Sequence, residues 1–127
     1  MKKITAKNAP EAIGPYSQAV RTGNLLITSG QIPVDPSTGL LVTDLIEDQT
    51  DQVMANLKAI LKNEGLSLMN VVKTTVFLKD MAEFAKFNSA YEKHFESHKP
   101  ARSTIQVASL PLDCRIEIEA IAEIEAL

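Results

Sequence analysis

Arg102 and Glu117 are the two residues whose types point most directly to chemistry. A guanidinium fork binds a carboxylate through two parallel hydrogen bonds. A partly buried carboxylate, its pKa raised by burial, can hold a water and take its proton. Each residue lies in a C-terminal run of alternating residue character. The spacing therefore predicts two adjacent strands with both side chains on one face. Such a pair would bind an acidic substrate and hydrolyse it. An ordinary cross-strand ion pair is the competing reading, because such pairs are common in sheets.

Other candidates are weaker alone. Tyr16 follows Gly14-Pro15, a turn that can aim its hydroxyl into a cleft. A half-buried tyrosine at a strand start fits as well. Ser29-Gly30 closes a strand, where glycine lets a ligand approach the backbone, and an ordinary turn is the alternative. His94 and His98 have the i, i+4 spacing of a metal chelate. They lack a third ligand and the glutamate of zinc proteases, so they read as solvated histidines near a helix C-terminus. Cys114 has no evident histidine partner and reads as incidental. There is no Walker loop, no dinucleotide-type glycine fingerprint and no serine-hydrolase elbow, which weakens ATP, NAD and serine-hydrolase readings.

These residues need elements to position them. Ser17–Arg21 and Asn24–Ser29 read as a hairpin around Thr22-Gly23-Asn24. The turn-rich stretch from Gln31 to Leu40 reads as a surface loop. Ile46, Val53, Leu57, Ile60 and Leu61 mark a helix, opened by an Asp44/Glu47 capping box and closed at Gly65. Asn70–Lys79 reads as a strand. Asp80 and Glu83 form a second capping box before the stripe Phe84, Phe87, Tyr91, Phe95. Arg102–Ala108 and Arg115–Ile124 close the chain as two strands joined by a hairpin-type loop. The order is β-β-α-β-α-β-β, with a further strand near Lys3–Lys7, and both helices on one face of the sheet. The opposite face is expected to hold Arg102, Thr104, Gln106, Glu117 and Glu119 beside Ile121. That mixture is too apolar for plain solvent and too charged for a core, and packing against another subunit resolves the conflict.

The 127 residues fit one domain, taken as 1–127. Hydrophobic residues at 45% and charged residues at 23% are ordinary for a globular chain. A net charge of −3 and a pI near 5.4 argue against a nucleic-acid backbone as main partner. The single cysteine forbids an internal disulfide and fits a cytoplasmic protein. No apolar run has the length of a signal peptide or a membrane span.

Four segments, in order, resemble the RidA/YjgF family of reactive-intermediate (enamine/imine) deaminases. They are Ala9-Pro10-Glu11-Ala12-Ile13-Gly14-Pro15-Tyr16-Ser17-Gln18-Ala19, Ser29-Gly30-Gln31-Ile32-Pro33, Gln52–Leu61, and the run Pro100–Pro111 with Ile116–Ala122. The resemblance covers nearly the whole chain. It implies a chorismate-mutase-like α/β (α+β) fold, a homotrimer and ligand clefts between subunits. It also implies hydrolysis of 2-imino acids and their enamine tautomers, such as 2-iminobutanoate and 2-aminoacrylate, to 2-keto acids and ammonia, without a cofactor or metal. Matched by position, Arg102 takes the place of the carboxylate-binding arginine and Glu117 that of the glutamate that positions water. Tyr16, Ser29 and Gly30 match cleft residues, Tyr16 and Ser29 as catalytic groups that shuttle protons or orient the nitrogen and Gly30 on the substrate, while Thr104 and Asn88 match substrate-binding positions, Asn88 in a supporting role. Thr104 stands where the best-known deaminases have a cysteine, a departure that bears on substrate range. Two other functions stay open: a non-catalytic small-carboxylate binder or holdase-type chaperone, and a chorismate-mutase-like enzyme suggested by fold analogy alone.

Overall fold

The structure is a computed structural model and describes residues 1–124. The stripe that predicts the first helix is buried along one side of α1 (Ile46–Asn63): Val53, Leu57, Ile60 and Leu61 are each at most 1% exposed. The helix stops where the sequence places its end. Gly65 takes φ +72°, its N–H donates to the Lys62 carbonyl at 3.0 Å, and the Leu66 N–H donates to that of Leu61 at 2.9 Å. The start differs from expectation. Leu45 is the N-cap and no side chain caps the helix. Asp44 instead accepts from Arg115 Nε at 2.8 Å and Nη2 at 3.2 Å.

The second helix, α2 (Phe84–Phe95), buries Phe87, Ala90, Tyr91 and Phe95. A 3-10 turn, Met81–Glu83, precedes it, and Asp80 Oδ1 accepts from the Ala82 N–H at 2.9 Å. Glu83 does not close a capping box, because it accepts from Arg115 Nη1 at 2.9 Å. Both predicted boxes thus lose a carboxylate to one guanidinium. Charge-assisted bonds from the guanidinium, two to Asp44 and one to Glu83, outcompete the local side-chain-to-backbone bonds. Arg115 ties the starts of both helices to the strand that follows it, and its own N–H donates to Gln49 Oε1 at 2.8 Å.

The strands are β1 (Lys2–Ile4), β2 (Ala19–Thr22), β3 (Leu25–Thr28), β4 (Val34–Asp35), β5 (Leu40–Leu41), β6 (Val71–Leu78), β7 (Ala101–Gln106) and β8 (Ile116–Glu123). Six of them form one sheet in the order β1-β2-β3-β8-β6-β7. The β2–β3 hairpin turns at Gly23, φ +56°, as expected. The stretch from Gln31 to Leu40 is more than a surface loop. Gln31 bridges Ile118, Pro33 and Val34 are buried, and β4 pairs with β5. Both helices cover one face of the sheet, where Val76, Leu78, Ile116 and Ile118 join their stripes in one core.

The end of the chain overturns two expectations. β7 and β8 do not form a hairpin, because β6 lies between them, parallel to β7 and antiparallel to β8. Arg102, Thr104 and Gln106 also do not share the open face with Glu117 and Glu119. They register with Thr74, Val76 and Leu78, all 0% exposed beneath the helices, so they stand on the helix side at the sheet edge. Alternation tells which residues of a strand share a face, and only the pairing partner tells which face.

Ile60 is fully buried in this core. Ile60→Ala is expected to cost about 2–5 kcal/mol in a urea titration, because the cavity cannot fully collapse.

Candidate active site

Arg102 sits at the edge of the sheet, where β7 has a neighbour on one side only. Its guanidinium carbon lies 5.4 Å from the Phe84 ring centroid, 5.5 Å from Phe87 and 5.0 Å from Tyr91. These distances suit cation–π attraction. Nη1 donates to Asn88 Oδ1 at 2.8 Å. Among the described residues Arg102 forms no ion pair. The spacing of α2 explains the grouping: Phe84, Phe87, Asn88 and Tyr91 recur at three and four residues and so share the side that meets β7. Two residues along β7, the Thr104 hydroxyl is buried and without a hydrogen-bond partner among the described residues. It stands on the same side of β7 as Arg102, and a buried hydroxyl without a partner is a polar group that the fold leaves unsatisfied. A cavity of about 410 Å³ opens beside Arg102, lined in part by Asn88, Tyr91 and His98.

Glu117 occupies the other face. Its neighbours Ile116 and Ile118 point into the core at 0% exposure, so Glu117 and its register partner Phe77 face away from the helices. Gly30 is its close companion. A Cβ at position 30 would collide with the Glu117 carboxylate, standing 2.8 Å from Cδ. The Gln31–Ile118 bridge, with N–H···O distances of 2.8 and 3.1 Å, holds Gly30 there. Burial first, and the charge of Glu119 second, push the Glu117 pKa above its ordinary value.

Tyr16 and Gly30 line one cavity of about 490 Å³, and the Tyr16 side of it is open to solvent. Gly14 sets up that turn with φ +127°, and its carbonyl accepts from the Tyr16 N–H at 2.9 Å. The Ser29 hydroxyl is already engaged, donating to the Ser17 carbonyl at 2.6 Å. Its visible contribution is to brace the turn beneath Gly30.

The expected residues therefore assemble as two half-sites. Arg102, Asn88 and Thr104 form one on the helix side. Glu117, Gly30, Ser29 and Tyr16 form the other on the far side of the sheet. The expectation that Arg102 and Glu117 meet within one sheet face of one protomer is incorrect, and so is the cross-strand ion pair between them. Phe84, Phe87 and Tyr91 were read only as core. Their second use, as a bed for Arg102, depends on β7 lying against α2, which leaves no local trace in sequence.

The remaining candidates resolve differently. His94 is partly solvated, as expected, but it is also engaged: Nε2 meets Asp51 Oδ1 at 2.7 Å and Nδ1 meets Lys58 Nζ at 2.9 Å, joining the two helices. His98 Nε2 meets the Val71 carbonyl at 2.7 Å. No cluster of three metal-ligating residues occurs among the described residues. Cys114 is fully buried, its Sγ donates to the Ile116 carbonyl at 3.3 Å, and burial pushes its pKa to about 11, so it stays a thiol.

A mixed sheet with two helices on one face, an arginine without an ion pair among the described residues and a half-buried glutamate characterise this small α+β protein. The comparisons with known proteins agree. The family described as Endoribonuclease L-PSP matches residues 6–124. A RutC family protein of Pyrococcus horikoshii is 56% identical over 119 residues, covering 94% of each chain. The 2-iminobutanoate/2-iminopropanoate deaminase of Salmonella typhimurium is 52% identical over 124 residues, covering 95% of this chain and 96% of that one. The crystal structure of the YjgF gene product from E. coli superposes with a TM-score of 0.94 at 51% identity, over 98% of this chain and 100% of that one. The chain belongs to the RidA/YjgF family, whose sequence model bears the L-PSP name.

Two variants test the Glu117 half-site. Gly30→Ala should push the carboxylate toward solvent, and carbon-detected NMR titration should show the Glu117 pKa falling back toward the ordinary glutamate range while circular dichroism stays native. Glu117→Gln tests the burial. A raised folded pKa means that the folded chain holds this proton more tightly than the unfolded chain. Parent stability is therefore drawn down as pH rises from the ordinary glutamate range through the folded value. The variant should be the more stable at pH about 8, and denaturant titration should show the gap closing at pH about 3.

Proposed function

We propose that this protein hydrolyses 2-imino acids and their enamine tautomers to 2-keto acids and ammonia, working in the cytoplasm as a homotrimer. One observation carries this reading: a cation without an internal counter-ion and a carboxylate with a raised pKa stand on opposite faces of one sheet. Each half-site lacks what the other offers, and a second copy of the chain can bring them together. The open face suits such packing. Ile27 and Ile105 are 36% and 46% exposed, with half-buried Phe77 and Ile121 between them. The relatives named as deaminases for 2-iminobutanoate and 2-iminopropanoate support the substrate class.

In this mechanism Arg102 binds the substrate carboxylate through its free guanidinium edge. The Thr104 hydroxyl supplies a further hydrogen bond. Glu117 of the neighbouring copy holds a water against the imine carbon. Its carboxylate takes one proton as the water oxygen bonds to carbon and the C=N bond becomes single. That proton passes to the nitrogen that received the C=N electron pair, giving a carbinolamine; its hydroxyl proton then passes through the same carboxylate to nitrogen as the C–N bond breaks, ammonia leaves and the carbonyl forms. Tyr16 and Gly30 shape the wall of the cleft, and Tyr16 offers a hydroxyl to the leaving nitrogen. Holding one water and one substrate in register supplies the rate enhancement. No cofactor is required.

The test uses an amino-acid oxidase to generate the imine and semicarbazide to trap it. The parent should suppress semicarbazone formation, and Arg102→Ala and Glu117→Ala should not. Refolding the two inactive variants together should restore activity at roughly a quarter of the sites, because some interfaces then pair an intact Arg102 with an intact Glu117. No suppression by a parent shown to be a folded trimer would transfer the assignment to a carboxylate-binding or holdase protein. Suppression without recovery in the mixture would place both groups in one copy and contradict the shared site.

A further inference from the structure

Among the described residues, every group that Arg102 is seen to contact is uncharged. Phe84, Phe87 and Tyr91 present their rings to it, and Asn88 takes one Nη1 proton through a neutral amide oxygen. The Tyr91 ring is itself fixed, since its hydroxyl shares a buried 2.8 Å hydrogen bond with Thr74 Oγ1 on the strand beside β7. Glu92 and Glu96 line the same cavity, yet neither makes an ion pair with the guanidinium. The acceptor that the guanidinium does engage is the Asn88 amide.

We propose that Asn88 is a positioning residue rather than a substrate ligand. It orients the Arg102 fork on its aromatic bed while leaving the full positive charge to an incoming 2-oxo or 2-imino carboxylate. A carboxylate at position 88 would orient the same fork and cancel its charge. An alanine would leave the charge and free the fork to turn. The neutrality of residue 88, and not its size, then sets affinity for the carboxylate. This rests on the deaminase reading only in taking Arg102 as the group that grips substrate.

The experiment is a calorimetric titration of the intact protein with 2-oxobutanoate, the keto acid that hydrolysis of 2-iminobutanoate would release. Asn88→Asp should weaken binding about tenfold or more, and Asn88→Ala by less, because the isosteric change introduces a competing charge. KM should rise more than kcat falls in both variants. In nitrogen-detected NMR, the Arg102 Nη signals should be sharp and distinct in the parent and in Asn88→Asp, and should merge in Asn88→Ala as rotation is freed. A merely structural asparagine predicts the reverse order, with Asn88→Ala the weaker binder. That order, or equal affinity for parent and Asn88→Asp, would overturn the proposal. A parent that binds 2-oxobutanoate but hydrolyses no imino acid would defeat the deaminase reading and leave this one standing. A parent that binds none would overturn this proposal, while the deaminase reading would still be decided by semicarbazone suppression.

Discussion

A β-strand sends successive side chains to opposite faces, and β6 imposes that rule on both of its neighbours. Thr74 aligns with Arg102 on one side and Ala120 on the other. Phe77 aligns with Glu117 and Ile105. Because Thr74 faces the helices and Phe77 faces away, the cation and the carboxylate cannot share a face. A one-residue slip of either pairing would put Arg102 and Glu117 together and would also turn core residues outward. The burial of Val76, Leu78, Ile116 and Ile118 therefore enforces the separation. The same forces that stabilise the fold divide the site in two.

That division gives each half its own electrostatic setting. On the helix side, aromatic faces and an amide hold the guanidinium without neutralising it. Cation–π attraction at such distances is worth about 0.5–2 kcal/mol, enough to favour one orientation but far less than a buried ion pair would cost to break. On the open side, burial against Gly30 leaves the Glu117 carboxyl poorly solvated, and repulsion from Glu119 adds to the rise in its pKa. A carboxylate raised in this way is a better proton acceptor near neutral pH than an exposed one. Each group is prepared separately, and association of two copies would bring the prepared groups face to face.

Arg115 shows the opposite use of the same side chain. It pairs with Asp44 and Glu83 and has its charge compensated twice over. It is a structural tie between two helix starts and the β8 strand. Two arginines on neighbouring regions of the sheet thus serve different ends, and only their partners distinguish them. Residue type alone would have nominated either as a carboxylate ligand.

The sequence by itself determined the order of the two helices and of the strands of the main sheet, the buried stripes of both helices, the hairpin at Gly23 and the glycine stop at Gly65, but not the short β4–β5 pair inside the expected loop. Each of these is written in spacing or in a local backbone requirement, which neighbours in the chain can satisfy alone. Resemblance across four ordered segments brought forward the residues that form both half-sites. Tertiary structure decided the rest. The insertion of β6 between β7 and β8 broke the expected terminal hairpin. The capture of Asp44 and Glu83 by Arg115 removed both capping boxes, and His94 was drawn between the helices. Above all, the register against β6 set which face each strand shows. Alternation has the same period whichever way a strand is turned, so the placement of Arg102 and Glu117 on opposite faces could come only from their long-range partners.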